Sequence, residues 1–438
     1  MIADCLGPRE TTQRLRVIEA SVIPTVTSTD TNAPTIMIAE EGAELIQLAA
    51  RGEPARGYSK SGMTEAVMPC TRQWFLTVLL PFISWLSPGM EASAGPLDIT
   101  VMTQNLYLGA EPDAILAAST PAELQAAIQA ASVSFTANNY PLRATTIASE
   151  AAKAGGPLLI GLQEAEIVSA SGTTLDFAQT LVGALALQGL NYTIAGVHQG
   201  FHVDSAQFGL PGQLSLTDQE VVLARTDVSG FTITGVTAPT FVHNVSAPSP
   251  LLGPIPLNRG YVLVDATLDG TPFEFVSTHL DETHSLNEPA QAGEILAALG
   301  APGEPQLVVG DFNAGPNDLC GGLSCGPADM LTAGFIDAGA GLGLTCCQPP
   351  ELNSPTSALR NHYDYIFERD FPSVVGAFLI GDQPFEGMRP FWPSDHAGVV
   401  ATLTLAAVPE PATALLVLMP AVLLIGFARL RGSARRAD

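Results

Sequence analysis

The sequence predicts an α/β fold in which two β-sheets pack face to face and carry helices on their outer sides. Two observations lead there. Strand-like and helix-like segments are mixed along one stretch, residues 97–405. Several of the strands, among them 158–162 (LLIGL) and 306–309 (QLVV), are apolar on both faces, so neither face can be left to water. Nothing in this stretch resembles a repeat or a linker, so it reads as one domain.

Residues 98–104 (DITVMTQ) alternate as a strand and stop at Asn105. Residues 110–153 read mainly as helix, with apolar positions spaced three to four apart in AELQAAIQAA and RATTIASEAAK. The strand 158–162 ends at Gln163-Glu164, and a helix over 175–188 precedes a strand at 191–197. Strands follow at 219–225, 261–268 and 273–278, separated by a Pro- and Ser-rich loop over 238–258. A helix over 288–299 leads to the strand 306–309, which ends at Gly310-Asp311. The last strands are 363–367 and 397–405.

Charge narrows the function. The chain has 438 residues, 18 Lys and Arg against 43 Asp and Glu, and 47% hydrophobic residues, enough to bury a sizeable core. Residues 95–407 hold seven of the basic residues and 31 of the acidic ones. Such a surface excludes a basic groove that grips nucleic acid through many phosphate contacts. It leaves open an enzyme that reaches one phosphate through a bound metal ion.

Six separated segments end in groups that bind metals or make hydrogen bonds: Thr103-Gln104-Asn105, Gly161-Leu162-Gln163-Glu164, Ser277-Thr278-His279-Leu280, Gly310-Asp311-Phe312-Asn313, Tyr363-Asp364-Tyr365-Ile366 and Ser394-Asp395-His396. Each alone is a weak signal. Together, in this order and each at a strand end, they resemble the endonuclease/exonuclease/phosphatase superfamily over residues 97–405. The resemblance implies a four-layered α/β/β/α sandwich of two mainly antiparallel sheets, and divalent-metal-dependent cleavage of a phosphodiester or phosphomonoester. Its substrates would be nucleic acid, a nucleotide, a phospholipid or an inositol phosphate.

By the same resemblance His396 is the general base and Asp364 its partner. Asp311 and Asn313 orient the nucleophile and bind the phosphate, and His279 stabilises the transition state or assists the leaving group. Asn105, Glu164 and Asp395 would hold the metal. They offer only oxygen donors, which suits Mg²⁺, with Mn²⁺ or Ca²⁺ as alternatives, and no thiolate or paired-imidazole set selects zinc. Arg143, Arg225, Arg259, Arg360 and Arg389 could form a local phosphate pocket, and 385–392 (FEGMRPFW) could enter a lipid surface or form a lip for substrate. A reading of another class is a catalytically silent matrix or binding protein on the same fold.

Both ends read as sorting signals. Residues 74–86 (WFLTVLLPFISWL) are too short to span a bilayer, and Ala92-Ser93-Ala94 follows as a small-x-small cleavage site. Residues 63–94 therefore read as a signal peptide, and 1–62 as an upstream extension outside the native start or as a disordered segment. At the other end Pro409-Glu410-Pro411, an apolar run over 412–428 and a tail with four arginines resemble the PEP-CTERM signal of Gram-negative bacteria, spanning 408–438. It implies transient anchoring in the inner membrane by one helix, processing by an exosortase-type enzyme, and export to the cell envelope or extracellular matrix. Export agrees with Cys320, Cys325, Cys346 and Cys347 forming two disulfides, for which three connectivities exist. The adjacent pair is expected to bond outward to Cys320 and Cys325, and a zinc site is the competing reading.

Overall fold

The structure, a computed structural model, describes residues 97–170, 172–209, 214–300, 302–385 and 391–406. The extension over 1–62, the signal peptide over 63–94, the sorting signal over 408–438 and Arg389 all lie outside the described residues. Among the described residues no helix is long and apolar enough to cross a membrane.

Strand β1 (Leu97–Asn105) is followed by a short helix α1 (Asp113–Leu116), then α2 (Pro121–Ala137) and α3 (Tyr140–Lys153). The expected helical stretch is thus cut in two by Asn138-Asn139, with Asn139 at φ 36°. Helix α2 starts where a capping box allows it. Thr120 accepts from the Glu123 N–H and Glu123 accepts from the Ser119 N–H, with Pro121 in the first turn. Strands β2 (Leu159–Gln163), β3 (Ile167–Ala170) and β4 (Thr173–Asp176) lead to α4 (Phe177–Leu187). Then come β5 (Tyr192–Asp204), β6 (Ser215–Arg225), β7 (Phe231–Thr237), the two-residue β8 (Ser246–Ala247) and β9 (Ile255–Pro256), β10 (Tyr261–Leu268) and β11 (Thr271–His279). Helix α5 (Asn287–Ala298), β12 (Gln306–Asp311), β13 (Leu319–Cys320), β14 (Leu323–Ser324), α6 (Gly326–Thr332), β15 (Ile336–Asp337), β16 (Asp364–Arg369), β17 (Ser373–Ile380) and β18 (Gly398–Leu405) complete the described chain.

One sheet runs β17-β18-β1-β2-β6-β3-β4, with β5 also paired to β6; the other runs β15-β16-β12-β11-β10-β7. Each sheet is antiparallel except for one pair, β1 with β2 in the first and β11 with β12 in the second. Between the sheets lie Val101, Leu159, Val222 and Val399 from one side and Val264, Phe275, Leu307 and Ile366 from the other, all fully buried. Each is worth about 1.5–3 kcal/mol by burial. The outer face of the first sheet (Met102, Ile160, Leu223) packs on α3 and α4 through Ile147, Ala148, Leu181 and Leu185. The outer face of the second (Val276, Val308, Phe367) packs on α5 and α6 through Ala292, Ile295 and Met330. The result is the expected four layers, α/β/β/α.

The cysteines correct one expectation. Cys320 pairs with Cys325 across the β13–β14 hairpin, so the expected bonds from Cys346 and Cys347 to these two do not form. The hairpin turn of Gly321 and Gly322 brings the first two sulfurs together locally, which removes the partners the adjacent pair was expected to take.

Candidate active site

The two parallel pairs aim the site. Because β1 runs alongside β2 and β11 alongside β12, four strand ends reach the same rim of the sandwich, carrying Asn105, Gln163-Glu164, His279 and Asp311. The antiparallel neighbours contribute from their starts. Asp364 opens β16 opposite Asp311, and Asp395-His396 lie just before β18. The site is therefore built from strand starts as well as strand ends. Three residues at the rim take the left-handed backbone region without being glycine: Tyr107 (φ 57°), Glu164 (φ 50°) and Asn313 (φ 52°). Such conformations cost of order 1 kcal/mol or more each and cluster where function holds them.

All eight sequence-derived site residues lie at this rim. The Asp311 carboxylate stands at its centre. Its Oδ2 accepts from Asn105 Nδ2 at 3.1 Å and lies 3.6 Å from both His279 Nε2 and His396 Nε2. Its Oδ1 accepts from the Asn313 N–H at 2.8 Å. His396 Nδ1 is 2.8 Å from Asp364 Oδ2, and both residues are buried. Burial opposes a charge on His396, yet the carboxylates of Asp364, Asp311 and Asp395 outweigh it and hold its pKa well above the usual histidine value. Burial pushes the Asp311 carboxyl up; the His396 charge opposes this and Asp364 reinforces it.

Asn313 has a second duty, since its amide donates to the Leu280 carbonyl at 3.0 Å and ties the turn after β12 to the turn after β11. Below the rim, Thr103, Gln163 and Ser277 form a buried hydrogen-bonded chain across the two sheets. Gly161 makes room for it, because a Cβ there would lie 2.6 Å from Val309 and 2.7 Å from Ser277 Oγ.

The proposed metal ligands show a fitting donor chemistry. Glu164 is fixed by Asn105 Nδ2 on Oε1 (3.1 Å) and by the Leu108 N–H on Oε2 (3.0 Å), and it is only partly buried. Asp395 is raised by burial, countered by His396 and raised again by Glu164, the mark of two carboxylates sharing a region without enough positive charge. An oxygen-preferring divalent cation fits that pair. Asn105 turns its NH₂ toward Glu164 and Asp311, and its Oδ1 accepts from the Tyr107 N–H at 2.9 Å.

Other expectations separate here. Arg143 is buried beneath the rim and spends its guanidinium on the carbonyls of Leu106, Tyr107, Asn138 and Pro393, which braces both rim loops instead of lining a phosphate pocket. Arg225 bonds Asp227 and the Gly156 carbonyl at the opposite end of the sheet, beside the start of β2. Arg259 does reach the site, 2.7 Å from His279 Nδ1. Trp392 is fully buried against Tyr107 and Leu352, which removes it from any lipid-entering tip. His362 bonds Asp337 at 3.1 Å and the Gly343 carbonyl. Sequence reasoning assigned Cys347 to a disulfide and not to the site, yet its sulfur lies 3.7 Å from His396 Nε2. Nothing in its spacing pointed there.

No family model matches the chain, and no curated protein matches it. Solved structures do. An endonuclease/exonuclease/phosphatase family protein from Leptotrichia buccalis is 15% identical, with 70% of this chain and 99% of that chain covered and a TM-score of 0.45. Truncated TDP2 from Caenorhabditis elegans is 17% identical, covering 70% and 97% with a TM-score of 0.40. An endonuclease/exonuclease/phosphatase from Beutenbergia cavernae is 20% identical, covering 72% and 73% with a TM-score of 0.46.

Proposed function

We propose that this chain is an exported, divalent-metal-dependent phosphoesterase that hydrolyses a phosphate ester by attack of an activated water. The observation that carries the reading is the convergence of His396 Nε2, His279 Nε2 and Asn105 Nδ2 on Asp311 Oδ2, with His396 held from behind by Asp364. A buried histidine kept only for packing needs one partner; here two imidazoles approach one carboxylate oxygen.

In this mechanism Asp364 keeps a hydrogen on His396 Nδ1. The surrounding carboxylates favour the imidazolium, and in the fraction of His396 that is neutral the Nε2 lone pair faces Asp311 and takes a proton from a water that the Asp311 carboxylate orients. Asp364 then stabilises the imidazolium. His279 offers its Nε2–H to the phosphate where negative charge develops, while the Asn105 amide holds the Glu164 and Asp311 carboxylates in place. A cation held by Glu164 and Asp395, Mg²⁺ or Mn²⁺ by their chemistry, would polarise the phosphoryl group. Hydrolysis of bis-p-nitrophenyl phosphate, DNA, sphingomyelin and inositol phosphates by the purified protein tests the reading and selects the substrate. Inactivity on all four would overturn it.

Export rests on the terminal sequence signals. A native protein that begins near Gly95 and lacks the arginine-rich tail by intact mass would support it, and one that retains residues 1–62 would oppose it.

A further inference from the structure

Behind the rim lies a buried ionic cluster to which the mechanism assigns no task. Asp218, Glu220 and Glu166 are all buried. Both oxygens of Asp218, Oε1 of Glu220 and Oε2 of Glu166 find no hydrogen-bond partner among the described residues. His198 Nδ1 contacts Glu220 and its Nε2 lies 3.1 Å from Thr240 Oγ1. Buried carboxylates without partners are costly unless a charge compensates them. The compensating charge is Arg259, 3.6 Å from Asp218 and 4.0 Å from Glu282.

Arg259 faces the other way too. Its Nη1 is 2.7 Å from His279 Nδ1. A guanidinium has donors and no acceptor and stays charged in proteins, so Nδ1 must be the acceptor. A neutral imidazole with a bare Nδ1 carries its hydrogen on Nε2. That nitrogen is the one 3.6 Å from Asp311 Oδ2, too long for a good hydrogen bond, so its N–H remains available to another acceptor.

We propose that Arg259 is a positioning residue that locks His279 as a neutral imidazole with its hydrogen on Nε2, so that His279 acts only as a hydrogen-bond donor to the phosphate. The partner behind each ring sets the division of labour. Carboxylate Asp364 behind His396 leaves Nε2 free to accept a proton, and guanidinium Arg259 behind His279 leaves Nε2 able only to give a hydrogen bond. The two rings point their Nε2 atoms at the same oxygen with opposite roles. The acidic cluster keeps the guanidinium charged and in place. Burial, and then the Arg259 charge, hold the His279 pKa well below the usual value, in line with this assignment. The catalytic half of the proposal rests on the phosphoesterase reading; the tautomer does not.

The test is ¹⁵N NMR of the full chain labelled at histidine, with the His279 signals identified by their loss in His279→Gln. The expected spectrum shows a bare Nδ1 and a protonated Nε2, unchanged between about pH 6 and 8. Arg259→Met loses this pattern and lowers kcat at least about tenfold while KM stays within about twofold, and Arg259→Lys restores the bare Nδ1 and part of kcat. A protonated Nδ1 in the unaltered chain overturns the proposal. So does an Arg259→Met protein that folds and keeps both the tautomer and kcat. If Arg259→Met does not fold, the unaltered chain decides alone. A bare Nδ1 in a chain that hydrolyses no phosphate ester would overturn the phosphoesterase reading and leave the tautomer assignment standing.

Discussion

His396 and Asp364 stand 32 positions apart in the sequence and 2.8 Å apart in the fold. Their pairing makes a prediction that a packing role does not. Asp364→Asn keeps the shape but offers an amide N–H to Nδ1, which would put the ring's hydrogen on Nε2 and silence the base. The expected result is a kcat lower by at least about 10²-fold with the thermal midpoint close to the parent's. A variant that melts early yet turns over normally would reduce the pair to structure. At this scale the sequence was informative where chemistry is written in residue type. Oxygen donors without thiolates at Asn105, Glu164 and Asp395 suggested a hard-cation set, of which Asn105 spends its Oδ1 on the Tyr107 N–H, and Ser394-Asp395-His396 suggested a base beside a carboxylate. It was silent on Arg259 as the neighbour of His279, because the contact crosses 20 positions and depends on Arg259 and Gly260 turning the chain into β10.

The two parallel strand pairs and the helices on their outer faces position the rim, and the α5–α6 junction shows how element packing carries a titration. Glu288, at the start of α5, accepts from the Gly326 N–H that opens α6 through both oxygens, at 2.9 and 2.7 Å. Burial pushes its pKa up to about 8, opposed by the Gly326 hydrogen bond. The folded state therefore holds this proton more tightly than the unfolded chain does. The stability it contributes is complete below about pH 4.5 and is lost as pH rises through about 8. Glu288→Gln should melt a few degrees above the parent at pH 8 and together with it at pH 4. Equal melting at both pH values would show that the carboxyl titrates normally.

Strands with strong periodicity or two apolar faces, such as β2, β10 and β12, were legible in the sequence. The edge strands β7 and β17 were not expected. Their exposed positions alternate with half-buried ones, and being paired on one side only, they carry weak apolar signals. The cut between α2 and α3 was missed because Asn138-Asn139 sits inside an otherwise helical composition.

For the whole molecule, charge placement decides what can approach. Residues 95–407 carry seven basic residues against 31 acidic ones. Among the described residues Arg143 and Arg259 are buried, Arg225 and Arg369 lie at the end of the sandwich opposite the rim, and Arg360 is exposed beside Cys346 and Cys347 as a lone cation near the acidic site. An anionic substrate therefore meets net repulsion on approach, which salt screens. kcat/KM for bis-p-nitrophenyl phosphate should rise as ionic strength goes from about 0.01 M to about 0.15 M. A fall would reveal a basic groove that the described surface lacks.

The central claim joins the oxygen-only pair Glu164 and Asp395 to the His396–Asp364 base at one phosphate. Hydrolysis of bis-p-nitrophenyl phosphate by the full chain, followed through chelation and metal return, tests that union most directly. The account predicts that EDTA abolishes turnover, that Mg²⁺ or Mn²⁺ restores it, and that neither ion restores it in Glu164→Gln. Undiminished turnover in EDTA, or full restoration of Glu164→Gln by Mg²⁺, would contradict it.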